Sequence, residues 1–79
     1  MNNHEKYADA FISTFDIKKE ELQDLKYQDI QAWDSVGHMG LIDALETAFE
    51  IEMSAEDIID FSSFEKGKEI LSSNYGVEF

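Results

Sequence analysis

Apolar side chains recur at helical spacing in two long segments of the chain. The first stripe consists of Ala8, Phe11, Ile12 and Phe15. The second stripe consists of Leu41, Ile42, Leu45, Ala48 and Phe49. Positions i, i+3, i+4 and i+7 lie on one face of an α-helix, so each stripe predicts an amphipathic helix. We expect the first helix over residues 4–15 and the second over residues 36–49.

Three polar side chains that can cap a helix stand three residues before an acidic one, a spacing typical of capping boxes. The pairs are Asn2 with Glu5, Ser54 with Asp57, and Ser62 with Glu65. They predict the start of the first helix, a short helix over residues 55–60 and a last helix after residue 62. The inward residues expected in these two later segments are Ile58 or Ile59, Phe61, Phe64, Gly67, Ile70 and Leu71. Gly76 is the expected end of the last helix, because glycine readily adopts the left-handed conformation that follows a helix.

Residues 16–34 form a long connection in which the helical pattern loosens. One helical turn is expected within residues 20–25, and Trp33 is expected to pack into the core because aromatic side chains dominate small cores. No segment alternates with a two-residue period, so no strand is predicted. The chain is therefore predicted to be an all-α bundle of three main helices plus one short helix. A long loop would join the first two helices and let them pack antiparallel or nearly so.

The composition indicates one folded domain, residues 1–79, with a modest core. The chain has no cysteine, which excludes disulfides and thiol catalysis. Its formal net charge is -12, with six lysines and no arginine. Such a charge disfavours nucleic acid and anionic membranes and favours basic protein partners. Because the N-terminus is polar and no apolar run reaches about 18 residues, we expect a soluble, cytoplasmic and monomeric protein.

The histidines and acidic residues give no pattern typical of metal or catalytic sites. His4 and His38 are expected to face solvent, because two histidines without cysteine have no recognisable zinc-ligand spacing. No window supplies the ligands of an EF-hand calcium loop. Ser35 and His38 lie one helical turn apart, but a hydrolase also needs an orienting acid and an oxyanion hole. We predict no metal site and no catalytic residue, and a small hydrolase is the weakest hypothesis.

The tripeptide Asp34-Ser35-Val36 opens the second predicted helix, inside a stretch, residues 27–65, with ten acidic residues and no lysine. A serine at a helix start is usually a cap that accepts a hydrogen bond from a free backbone N–H. The same N–H groups and the helix dipole also favour an anion such as a phosphate ester. Gly37 and Gly40 weaken the first turns of this helix. They indicate either close packing against the long loop or an open approach to Ser35 for a partner or an attached group.

The residues around Ser35 resemble the attachment site and second helix of acyl carrier proteins, and the order of predicted elements matches that family over nearly the whole chain. The similar residues are Trp33-Asp34-Ser35-Val36-Gly37-His38-Met39, Leu41-Ile42 and Ala44-Leu45-Glu46 through Phe49. The resemblance implies that a magnesium-dependent phosphopantetheinyl transferase attaches 4'-phosphopantetheine from coenzyme A to the Ser35 hydroxyl. Asp34 would help to place the site in the transferase, and Val36 would contact the arm or a partner. The thiol of the arm would carry acyl groups as thioesters, which makes the protein a carrier rather than an enzyme.

The resemblance also implies protein partners and a place for the acyl chain. An acyl ligase or acyltransferase and downstream synthase enzymes would dock through basic patches in fast, salt-sensitive encounters. The residues expected to meet them are Val36, Asp43, Glu46, Glu50, Glu56, Asp57 and Asp60. Four residues expected in the core would also line a groove that shelters the acyl chain: Leu41, Leu45, Phe49 and Ile58.

Two departures from the family pattern bear on the role. Gly37 and Gly40 stand where housekeeping fatty-acid carriers commonly have acidic residues. This favours a dedicated discrete carrier, loaded by its own ligase or acyltransferase, in a specialised biosynthetic pathway such as polyketide biosynthesis or in fatty-acid-type synthesis. Ala32-Trp33 replaces the glycine pair that often precedes the serine in aminoacyl and peptidyl carriers, which are the closest alternative. A non-carrier acidic helical interaction module is another alternative, because it needs the charge but no modified serine.

Overall fold

Four α-helices and one short 3₁₀ turn make up the computed structural model, which describes residues 1–79. The helices are α1 (Asn3–Phe15), α2 (Ser35–Phe49), α3 (Ala55–Asp60) and α4 (Phe64–Tyr75). There is no β-strand, and a single isolated antiparallel bridge joins Lys26 to Ser63. The predicted all-α architecture of three longer helices and a short one is confirmed. No helix combines the length and the apolar character needed to cross a membrane.

One cluster of 17 buried apolar residues holds these elements together. Phe11 of α1 lies at its centre, with its ring centroid 5.5 Å from that of Trp33 and 5.0 Å from that of Phe64. Trp33 is fully buried, as expected from the sequence. The stripe on α2 is buried at Leu41, Ile42 and Leu45 and half-buried further on. Burial of these side chains is the main favourable contribution to folding.

Helices α1 and α2 pack against each other in antiparallel directions, as predicted. Gly37, near the start of α2, lies beside the ring of Phe15 at the end of α1. Further along both helices, Ala10 and Ser13 share a surface depression with Ala44 and Ala48. The small side chains on these facing turns allow the two helices to approach closely.

The long connection between α1 and α2 is fastened to the start of α4. The backbone N–H of Tyr27 donates to the carbonyl oxygen of Ser62 at 2.9 Å, and the N–H of Phe64 donates to the carbonyl of Leu25 at 2.9 Å. Leu25 is also buried. The helical turn expected within residues 20–25 is a 3₁₀ turn at Lys19–Glu21. The connection is therefore held by both backbone and side-chain contacts.

The helix ends follow the predicted capping pattern with two differences. Asn2 and Glu5 form a complete capping box, and Gly76 ends α4 with a left-handed backbone (φ 68°). The predicted cap at Ser62 is wrong, because Ser63 accepts the hydrogen bond from the N–H of Lys66. The physical reason is the bridge to the long loop, which holds residue 63 in an extended conformation at the helix start. Ser54 caps α3 alone, since the carboxylate expected to complete its capping box is bound to α4.

A buried tyrosine fixes α1 to the start of α4. The Tyr7 hydroxyl donates to the carbonyl oxygen of Phe64 at 2.6 Å. Burial, and then the negative charge of Glu65, raise the pKa of Tyr7, so the hydroxyl stays protonated as a donor. Gly67 lies directly against this side chain, and a Cβ there would overlap the Tyr7 hydroxyl and the Phe61 ring. The predicted inward position of Gly67 thus reflects close packing.

Candidate functional site

The first turn of α2 is capped by Asp34 and not by Ser35. Asp34 has an extended backbone, and its Oδ1 accepts a hydrogen bond from the N–H of Gly37 at 2.8 Å. Ser35 is the first residue inside the helix, and its exposed hydroxyl takes part in no hydrogen bond within the protein. A serine oxygen that is exposed and free of other partners is available for covalent modification.

The two glycines of this turn have different surroundings. A Cβ on Gly37 would overlap the carbonyl oxygen of Ala32, so the loop backbone passes too close for any side chain. At Gly40 the nearest atom to a Cβ would be the Thr14 methyl carbon at 3.6 Å, an ordinary contact. Close packing against the loop therefore explains Gly37. Gly40, five residues after Ser35, is exposed and leaves the surface of α2 bare at that position.

An open groove of about 410 Å³ lies beside Ser35, between the start of α2 and α3. Its apolar lining consists of Met39, Ile58, Ile59 and Phe61, and its polar lining consists of Tyr27, Ser35, His38 and Ser62. Of the four residues expected to line an acyl groove, only Ile58 does so. Leu41 and Leu45 are fully buried, and Phe49 packs against Phe79. The groove is therefore formed by α3 and the first turns of α2 rather than by the core stripe.

Three apolar side chains near Ser35 are strongly exposed. Val36 is 79% exposed, Ile59 80% and Met39 52%. The alternative that Ile59 is the inward residue of α3 is wrong, since Ile58 is the half-buried one and Phe61 is buried as predicted. Exposed apolar side chains around a groove are typical of surfaces that meet a partner or a ligand.

His38 is half-buried, and the expectation that it faces solvent is wrong. The indole Nε1–H of Trp33 donates to its Nδ1 at 2.9 Å, and its Nε2 lies 2.8 Å from the carbonyl oxygen of Ile58. Both ring nitrogens thus have partners other than Ser35, so the structure offers no Ser35–His38 pair of the kind a hydrolase would use. The sequence signal for a partner of this kind is Trp33. It is expected to be buried, and the indole N–H of a buried tryptophan usually finds a hydrogen-bond acceptor. His4 is exposed, as expected.

The residues predicted to dock partners fall into two groups. Val36, Asp43, Glu50, Glu56 and Asp60 are exposed on α2, on α3 or directly after α2. Two carboxylates instead have partners within the fold. Glu46 accepts from the N–H of Met53 at 2.8 Å, and Asp57 accepts from the Tyr75 hydroxyl at 2.7 Å and from Asn74 Nδ2 at 3.0 Å. Glu46 and Asp57 therefore stabilise the fold whether or not they also meet a partner.

Comparison of the chain with models of known protein families, with curated proteins and with solved structures finds no match. Function is therefore inferred from the geometry around Ser35 and from the resemblance of the local sequence.

Proposed function

We propose that this protein is a discrete acyl carrier protein that holds acyl groups as thioesters on 4'-phosphopantetheine attached to Ser35. The free, exposed Ser35 hydroxyl at the start of α2 supports this most directly. Serine at a helix start commonly serves as the cap, and here Asp34 has that role. The Ser35 side chain is thus left without a structural task.

The surroundings of Ser35 suit a phosphodiester. In the attachment step, the Ser35 oxygen forms a P–O bond to the phosphate that carries pantetheine, and the pyrophosphate bond of coenzyme A breaks. Adenosine 3',5'-bisphosphate leaves, and the transferase takes the serine proton. The product anion sits at the N-terminus of a 15-residue helix, where the dipole and free N–H groups stabilise negative charge. The thiol at the end of the attached arm supplies the thioester chemistry.

The groove and the charged surface supply the other properties of a carrier. Met39, Ile58 and Ile59 offer apolar area next to Ser35 that can cover part of an arm or of a short acyl group. The exposed carboxylates of α2 and α3 attract enzymes with basic patches and favour fast, transient encounters. The cysteine-free chain has no thiol of its own, so every thioester must form on the arm.

A thiol titration tests this proposal, because any thiol on the protein must come from the arm. The protein is incubated with coenzyme A, magnesium and a broad-specificity phosphopantetheinyl transferase, and free coenzyme A is then removed. We expect a single thiol per chain for the wild type and none for Ser35→Ala. Ser62→Ala, which removes a second hydroxyl from the same groove, should behave like the wild type. A wild-type protein without a thiol after this treatment would refute the carrier function.

An acidic interaction module is the alternative that the exposed carboxylates favour. It predicts a stable complex with a basic protein that forms equally well with wild type and with Ser35→Ala. A carrier, in contrast, forms transient complexes that depend on the attached arm. Binding measured for both forms, before and after treatment with the transferase, distinguishes the two functions.

A further inference from the structure

Trp33, His38 and Ile58 form a hydrogen-bonded chain that joins the long loop, α2 and α3. The Trp33 indole N–H reaches His38 Nδ1, and His38 Nε2 reaches the Ile58 carbonyl oxygen. Trp33 is fully buried, so its N–H has no access to water. The Ile58 carbonyl lies in the last turn of α3, where carbonyls lack partners within the helix. His38 satisfies both groups at once.

We propose that this chain of bonds is a pH-sensitive lock that closes only when His38 is neutral. The indole nitrogen can only donate, so His38 Nδ1 must accept and carry no proton. The proton of the neutral ring is therefore on Nε2, which donates it to the Ile58 carbonyl. When the ring gains a second proton, Nδ1–H and the indole N–H face each other as two donors. That bond is lost, and Trp33 is left with a buried, unpaired donor.

No group around His38 offers the charged ring a new acceptor for the proton on Nδ1. From the loop, the Tyr27 ring meets it edge to face at a centroid distance of 5.5 Å. Directly before α2, the Asp34 carboxylate is bound to the N–H of Gly37. On α3, Asp57 is bound to residues of α4, and Asp60 is exposed. Phe61, on the segment before α4, contributes only an aromatic edge. No carboxylate forms a hydrogen bond with the imidazole.

Opening of the lock acts on the groove beside Ser35. His38 and Ile58 both line that groove, and His38 lies one turn after Ser35. Loss of the Trp33–His38 bond releases Trp33 and the loop from the first turn of α2, whereas the Nε2–H of the charged ring still donates to the Ile58 carbonyl oxygen. This inference concerns the unmodified chain and does not depend on attachment at Ser35.

Nitrogen-15 NMR of the full chain tests the lock directly. At about pH 8, where imidazole side chains are ordinarily neutral, we expect His38 with Nδ1 unprotonated and Nε2 protonated. From about pH 8 to pH 5, hydrogen-exchange protection of the Trp33 indole N–H should fall about tenfold or more. It is measured relative to the backbone N–H of Leu71, a fully buried residue of α4 that reports global unfolding.

The only other histidine of the chain provides a matched control. His38→Gln offers an acceptor and a donor that do not titrate, so its indole protection relative to Leu71 should not change with pH. His4→Gln alters an exposed residue and should behave like the wild type. A proton on Nδ1 of wild-type His38 at about pH 8, or a wild-type indole protection that stays constant, overturns the proposal. Both of these readouts need only the wild-type protein, so they hold even if a variant does not fold.

Discussion

Asp34 and Ser35 are adjacent, yet only Asp34 makes a hydrogen bond that the start of α2 needs. The Asp34 carboxylate satisfies the N–H of Gly37, which has no partner within the helix. The Ser35 hydroxyl is left exposed and unbonded. Stability at this helix end and the proposed chemistry therefore belong to different side chains, and substitutions can separate them.

Removing the cap should destabilise the protein, whereas removing the Ser35 hydroxyl should not. Asp34→Ala is expected to lower the free energy of unfolding by about 1 kcal/mol. Asp34→Asn should keep most of the stabilisation that the cap provides, because the amide oxygen still accepts the hydrogen bond. Ser35→Ala should change it by less than about 0.5 kcal/mol. Urea unfolding of the three variants measures these differences. An equal loss for Ser35→Ala and Asp34→Ala would mean that Ser35 also contributes to capping.

Replacement of Gly37 and Gly40 by alanine should change the free energy of unfolding in opposite directions. Gly40→Ala is expected to stabilise the protein by about 0.5–1 kcal/mol, because the site has room for a methyl group and glycine weakens a helix interior. Gly37→Ala should destabilise it, because the carbonyl of Ala32 must move. Unfolding free energies of the two variants check this pair. The same sign at both positions would contradict the environments described for them.

Among the helices, α3 is the one held mainly by polar contacts. None of its own residues is buried, although Met53 before it and Phe61 after it are. The Tyr75 hydroxyl accepts from the N–H of Ser54 at 2.9 Å and donates to Asp57 at 2.7 Å. An element with little buried apolar area is expected to open locally before the rest of the protein unfolds.

Loss of the Tyr75 hydroxyl should loosen α3 alone. Tyr75→Phe is expected to raise hydrogen exchange of the α3 backbone by about fivefold or more, the equivalent of about 1 kcal/mol, while exchange in the core of α1 and α4 changes little. Tyr27→Phe is the matched control, because the Tyr27 hydroxyl has no hydrogen-bond partner in the protein. Equal effects of the two variants on α3 would show that Tyr75 does not anchor it.

The helices could be predicted from the sequence because their signals are local. The stripe from Ala8 to Phe15 and the Asn2–Glu5 cap lie within a few residues of each other. The sequence predicts the cap of α4 one residue early, because only the bridge between Lys26 and Ser63 decides which serine starts the helix. The half-buried position of His38 does not follow from the sequence for a similar reason: one of its partners, Ile58, lies on another helix and meets it only in the folded protein.

For the molecule as a whole, the charge is large for its size. The formal net charge is -12, and the longest dimension of the fold is 29 Å. At about 0.01 M ionic strength the Debye length is about 30 Å, so charges repel one another across the entire protein. At about 0.15 M it is about 8 Å, and only near neighbours interact. Self-repulsion therefore weakens the compact state at low salt.

The melting temperature should accordingly rise with salt. Between about 0.01 and 0.15 M sodium chloride we expect an increase of about 4 °C or more, the equivalent of about 1 kcal/mol for a domain of this size. Scanning calorimetry or circular dichroism at fixed pH measures it. A melting temperature that does not change over this range would show that self-repulsion is not a significant cost to this fold.

The intact mass after treatment with a phosphopantetheinyl transferase, coenzyme A and magnesium tests the central claim most directly. The account predicts that the wild type and Ser62→Ala each gain the mass of a single phosphopantetheine, that Ser35→Ala gains none, and that fragmentation places the group on Ser35. A wild-type mass that does not change, or a group found on another serine, would contradict the account.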